Sequence, residues 1–66
     1  MFTVKELTDN GTITMYAARI VAVHPTNSVY VIGYQNDTVL YPEHFMEVKI
    51  ENTDGKIIDV IHGKTS

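Results

Sequence analysis

Phe2-Thr3-Val4-Lys5-Glu6-Leu7 and Thr12-Ile13-Thr14-Met15-Tyr16 each alternate apolar and polar residues, and Asn10-Gly11 stands between them. Alternation with period two marks strands that bury one face. A two-residue type I′ turn needs positive φ at both central positions, and Asn followed by Gly tolerates this best. The stretch therefore predicts a tight β-hairpin centred on Asn10-Gly11. In that register Lys5 faces Tyr16, Leu7 faces Thr14 and Val4 faces Ala17.

The theme continues outward from this hairpin. From Ala17 to Val23 the alternation gives way to a nearly continuous apolar run. Its β-branched content and short length favour a strand over a helix. A strand that begins half-exposed and becomes buried on both sides is expected to bend and serve two sheets. The small pair Ala17-Ala18 is the expected place for the kink. His24 to Ser28 carries Pro, Asn and Ser and predicts a turn. Val29 to Gln35 alternates again, Asn36-Asp37 is a second two-residue turn candidate, and Thr38 to Tyr41 follows as a strand.

Pro42 ends that strand, and Pro42-Glu43-His44 is expected to form a single helical or 3₁₀ turn. In Phe45 to Glu51, Met46, Val48 and Ile50 share one face and Glu47, Lys49 and Glu51 the other. Asn52-Thr53-Asp54-Gly55 predicts a type I turn with Gly55 left-handed in a G1 bulge. Lys56 to Ile61 forms the last strand, and residues 63–66 a frayed tail. The expected fold is all-β: a single domain over residues 1–62, an antiparallel meander of about six strands. So short a meander should curl into an SH3-like or open barrel, because a flat sheet leaves one apolar face wet.

Composition narrows the function. The chain has 66 residues, no cysteine and a hydrophobic fraction of 44%, as expected of one small globular domain without disulfides or thiolate metal sites. A domain this small buries only about 60% of the surface its unfolded chain exposes, so a partner chain is a plausible source of stability. No apolar run is long enough to span a membrane and no signal peptide is visible, which points to the cytoplasm. Eight acidic and five basic residues give a net charge of −3, and the basic ones are scattered. Coating of duplex nucleic acid, which needs Lys and Arg against phosphates, is disfavoured.

Catalysis is not expected. Ser28 and Ser66 are the only serines, no Gly-rich phosphate cradle exists, and Asp9, Asp37 and Asp54 sit where turns need them. His24, His44 and His62 are too widely spaced for a local zinc pair, so neither a metal nor another cofactor is expected. The aromatic residues carry more information. Tyr30, Tyr34 and Tyr41, grouped around one hairpin, form a candidate protein-contact patch, since tyrosine is enriched at interfaces. Lys5, Tyr16 and Arg19 form the alternative constellation, a basic and aromatic set of the kind that stacks on single-stranded nucleic acid. Lys56 to Ile61 is apolar on both faces, so it is expected either inside the sheet or covered by a partner, with a homodimer through that edge strand one possibility.

The segment Val48-Lys49-Ile50-Glu51-Asn52-Thr53-Asp54-Gly55-Lys56-Ile57-Ile58 resembles a short pattern of small accessory proteins of tailed bacteriophages. In that pattern a strand ends in Met-Asn, two residues follow, and Gly-Lys-Thr leads into a β-branched residue. Asn52, Gly55 and Lys56 match, whereas Glu51 replaces Met and Ile57 replaces Thr. The resemblance implies a phage product that binds a host protein in the host cytoplasm, and it carries over no functional residue. The expectation is a non-enzymatic protein-binding β module, acting as an accessory or inhibitory factor. A single-strand nucleic-acid binder and a structural subunit assembling through strand edges are the alternatives.

Overall fold

A computed structural model describes residues 1–64, so the part of the expected tail at Thr65 and Ser66 lies outside the described residues. Seven antiparallel strands follow one another: β1 (Phe2–Thr8), β2 (Ile13–Ala18), β3 (Ile20–Val23), β4 (Val29–Ile32), β5 (Asp37–Leu40), β6 (Phe45–Glu51) and β7 (Ile57–His62). They form a four-stranded sheet in the order β2-β1-β6-β7 and a three-stranded sheet in the order β3-β4-β5. No ladder joins the two sheets into a closed barrel, and the fold is an open two-sheet arrangement. The expected long second strand is present and serves both sheets. It counts as two because it breaks at Arg19, one residue beyond the expected Ala17-Ala18 kink, where the Arg19 N–H donates to the Ile32 carbonyl at 2.8 Å. Ala18 is fully buried at this corner, where a small side chain allows the two sheets to approach.

The first hairpin differs from its expected form. Its loop has three residues, not two: the Thr8 N–H donates to the Thr12 carbonyl at 2.8 Å and the Gly11 N–H to the Thr8 carbonyl at 3.0 Å. Gly11 has φ +89°, and Asn10 does not share the positive region. This is a type I turn with a G1 bulge, the geometry also found at Asn52–Lys56, where Gly55 has φ +82°. There the expectation holds, and Asn52 Oδ1 accepts the Asp54 and Lys56 N–H groups at 2.9 and 3.0 Å. Both turn types place a glycine at positive φ, so Asn-Gly alone does not choose between them. The choice slips the register by one residue: Val4 faces Tyr16 and Lys5 faces Met15. One residue of slip moves every side chain of β2 to the other face of the sheet relative to β1.

Four smaller corrections concern the loops and ends. The β4–β5 loop is Gly33–Asn36, closed by the Gly33 N–H on the Asn36 carbonyl at 3.0 Å, so Tyr34 lies in a loop and Asp37 in a strand. Around Pro42 there is one turn, with the His44 N–H on the Tyr41 carbonyl at 2.9 Å, and no helix among the described residues. The β1–β6 register shifts between Leu7 and Thr8, which turns Phe45 into the core and leaves Met46 exposed. Gly63 and Lys64 are not frayed: their N–H groups donate to the carbonyls of Met46 and Pro42, each at 2.9 Å. A Cβ at Gly63 would stand 1.8 Å from the Phe45 carbonyl oxygen, so only glycine lets the backbone approach this closely.

The core lies between the sheets. Val4, Val48, Ile50 and Ile61 from the four-stranded sheet meet Val29, Val31 and Leu40 from the three-stranded sheet, and Phe45 and Ala18 belong to the same cluster. Among the described residues one polar residue shares this interior: Glu6, only 7% exposed.

Candidate functional site

Since Val29 and Val31 of β4 point inward, the residues between and beyond them point outward. Cross-strand partners share a face, so the outer face of the three-stranded sheet consists of two rows. One is Ala22, Tyr30 and Val39, the other Ile20, Ile32 and Asp37. Only Asp37 among these is polar. Ile20 is 57% exposed and Tyr30 41%, so the face is open to solvent. At its end the loop after β3 contributes His24, whose ring centroid lies 6.2 Å from that of Tyr30, and Pro25. His24, Pro25 and Tyr30, together with Ala22 and Val23, line a shallow depression of about 270 Å³.

The outer face of the four-stranded sheet is built differently. Its central strands present Thr3, Lys5, Leu7, Glu47, Lys49 and Glu51, and its edge strands present Ile13, Met15, Ala17, Ile57, Val60 and His62. The charges pair with one another, Lys5 with Glu51 at 2.8 Å and Lys49 with Glu47 at 3.6 Å. A centre in which four of six residues are charged, between mostly apolar margins, departs from the usual interface, which has an apolar core and a polar rim. The three-stranded face matches the usual pattern and is the stronger candidate.

The three expected contact tyrosines are all exposed but do not form one patch. Tyr30 lies on the outer face of the three-stranded sheet. Tyr34, in the β4–β5 loop, lines a separate depression with Tyr16, and Tyr41 follows β5 at the opposite end of that hairpin. The alternative set disperses further. Lys5 points outward and is held by Glu51, whereas Tyr16 points inward beside Val4. Arg19 stands at the corner between the sheets and gives its Nε–H to the Gly33 carbonyl at 3.3 Å. The one-residue slip in the first hairpin is what separates Lys5 from Tyr16.

That slip also creates a contact the sequence reading missed. Tyr16 becomes the diagonal neighbour of Glu6 across the β1–β2 pair, and its hydroxyl donates to Glu6 Oε1 at 3.1 Å. Burial, and then the nearby Glu6 carboxylate and its hydrogen bond, raise the Tyr16 pKa above its ordinary 10.0. The alternation of β1, which puts Glu6 on the same face as Val4, is the signal from which a buried Glu6 was legible.

The β7 strand is an edge, not an interior strand, and of its side chains only Ile61 is buried. Its backbone is partly covered. Asp59 Oδ1 accepts the Val60 N–H at 2.9 Å, and Asn27 Nδ2 donates to the His62 carbonyl at 3.1 Å. Among the described residues no group of three His, Asp or Glu side chains is placed to hold a metal ion, and no helix is long and apolar enough to cross a membrane. Comparison with protein-family models, curated proteins and solved structures gives no match.

Proposed function

We propose that this chain is a non-enzymatic protein-binding module that docks a different protein on the outer face of its three-stranded sheet. The observation that carries this reading is the composition of that face: Ile20, Ala22, Tyr30, Ile32 and Val39 outward, with Asp37 at the margin. Apolar sheet faces left in water are costly unless something covers them, and tyrosine is a frequent anchor in such contacts. A heterologous partner is favoured over a second copy because each chain carries a net charge of −3, which opposes self-association. The covering of β7 by Asp59 and Asn27 likewise weighs against a homodimer through that edge. The phage-like segment Val48–Ile58 adds a host protein as the class of partner and an accessory or inhibitory role in the host cytoplasm. The single-strand nucleic-acid alternative is less favoured, because Lys5 and Tyr16 occupy opposite faces.

The test compares wild type with a Tyr30→Ser, Ile32→Thr variant in affinity capture from nuclease-treated host lysate. Circular dichroism checks that both are folded. A defined protein retained by the wild type and lost by the folded variant supports the reading. Equal capture by both moves the contact elsewhere, and capture that depends on nucleic acid overturns it. A concentration-dependent rise in mass that the variant abolishes would identify a second copy as the occupant.

A further inference from the structure

Glu6 poses a physical question that the docking face does not answer. A buried carboxylate is costly, and an apolar residue of similar volume is often at least as stable in its place. Its side-chain hydrogen-bond partner is one neutral hydroxyl, that of Tyr16. The two ion pairs among the described residues use Glu51 and Glu47, so no cation is ion-paired with Glu6. In the low-dielectric interior such a charge acts over a longer range than it would in water.

Tyr16 connects this carboxylate to an open space. Its ring lines a depression of about 380 Å³ at the mouth between the two sheets. Tyr34, 60% exposed, lines the same depression, and Gln35, Asn36 and Thr38 supply polar side chains to its wall. Aromatic faces attract cations through their quadrupole, most strongly where water is partly excluded. Amide and hydroxyl oxygens add acceptors for N–H groups. Arg19 reaches the same loop through Gly33 but does not line the depression.

We infer that the depression lined by Tyr16 and Tyr34 is a binding site for an alkylammonium group, with Glu6, hydrogen-bonded to Tyr16, as the negative charge that selects a cation. The site is distinct from the docking face and stands independently of it. The ammonium group comes either from a free amine or from a lysine side chain of another protein; both present the same chemistry to the site.

The experiment titrates the isotopically labelled protein, followed by NMR, with tetramethylammonium chloride, with its neutral isostere 2,2-dimethylpropanol, and with the peptide Gly-Lys-Gly. Sodium chloride at matched ionic strength is the control. Saturable shifts at Tyr16, Tyr34 and Thr38 with either cationic probe, absent with the alcohol, support the site. Tighter binding of the peptide then assigns the source to a protein side chain, and tighter binding of tetramethylammonium to a small free ammonium ion. Tyr34→Ala, a change in an exposed loop, weakens the cation by about three- to tenfold. Glu6→Gln retains an acceptor for Tyr16 while removing the charge, and weakens the cation to a similar degree. Equal shifts with the alcohol, shifts located elsewhere, or no saturable shift with either cation overturn the inference. So does full affinity in a folded Glu6→Gln variant.

Discussion

The Tyr16 hydroxyl and the Glu6 carboxylate meet at 3.1 Å on the inner face of the four-stranded sheet, at the one polar position of an otherwise apolar interior. Tyr16→Phe removes the donor and leaves Glu6 buried without this partner. A loss of about 1–3 kcal/mol follows, the usual cost of an unsatisfied buried group. Glu6→Gln, which keeps an acceptor, costs less. Chemical denaturation of both variants at neutral pH checks the order.

The same pair sets an alkaline limit. Burial first, and Glu6 second, raise the Tyr16 pKa in the folded state above the unfolded value of 10.0. The folded chain therefore holds this proton more tightly than the unfolded chain. The associated stability is complete below about pH 10 and is lost as pH rises through the folded pKa. Stability measured from pH 8 to pH 11 should fall more steeply in wild type than in Tyr16→Phe; parallel curves would refute the assignment.

Gly11 and Gly63 predict two different penalties. At Gly11 the added methyl meets nothing within 4 Å, so Gly11→Ala costs only the positive φ, about 1–2 kcal/mol. At Gly63 the methyl would collide with the Phe45 carbonyl and must displace backbone, so Gly63→Ala costs more than Gly11→Ala. Thermal unfolding of the two variants side by side decides whether the C-terminal end is held as described.

Phe45 is the largest of the fully buried side chains, with no exposed surface. Phe45→Ala should cost about 3–5 kcal/mol. A domain of this length has about 3–10 kcal/mol in total. The variant is expected to be largely unfolded at 37 °C, with lost near-ultraviolet circular dichroism as the readout.

The covered β7 edge gives a further test. Asn27→Gly keeps the positive φ of 69° accessible while deleting the cap on the His62 carbonyl, and Asp59→Ala frees the Val60 N–H. The double variant exposes backbone groups along an apolar edge and should self-associate more than wild type. Light scattering across a concentration series measures this; unchanged mass would mean that the two side chains do not guard the edge.

Much of the fold was legible because local patterns and global packing agree. Phe45 to Glu51 alternates and forms β6, and Asn52 to Gly55 forms the turn its residues demand. The loss of alternation after Ala17 marked the strand that passes from one sheet to the other. The errors cluster where one residue of offset is nearly free locally. Asn10-Gly11 suits two turn types, and Met46 suits the core until a bulge turns Phe45 inward.

Residue order alone determined the strands, their approximate ends and the class of fold, because side-chain period and turn chemistry act over a few residues. Tertiary structure decided which tyrosines share a surface. It sent Tyr30 to the outer face of one sheet and Tyr34 to the mouth with Tyr16, and it parted Lys5 from Tyr16. Those outcomes depend on register and on how two sheets meet. Register is chosen by the summed burial of whole strands, a quantity that no short stretch of sequence contains.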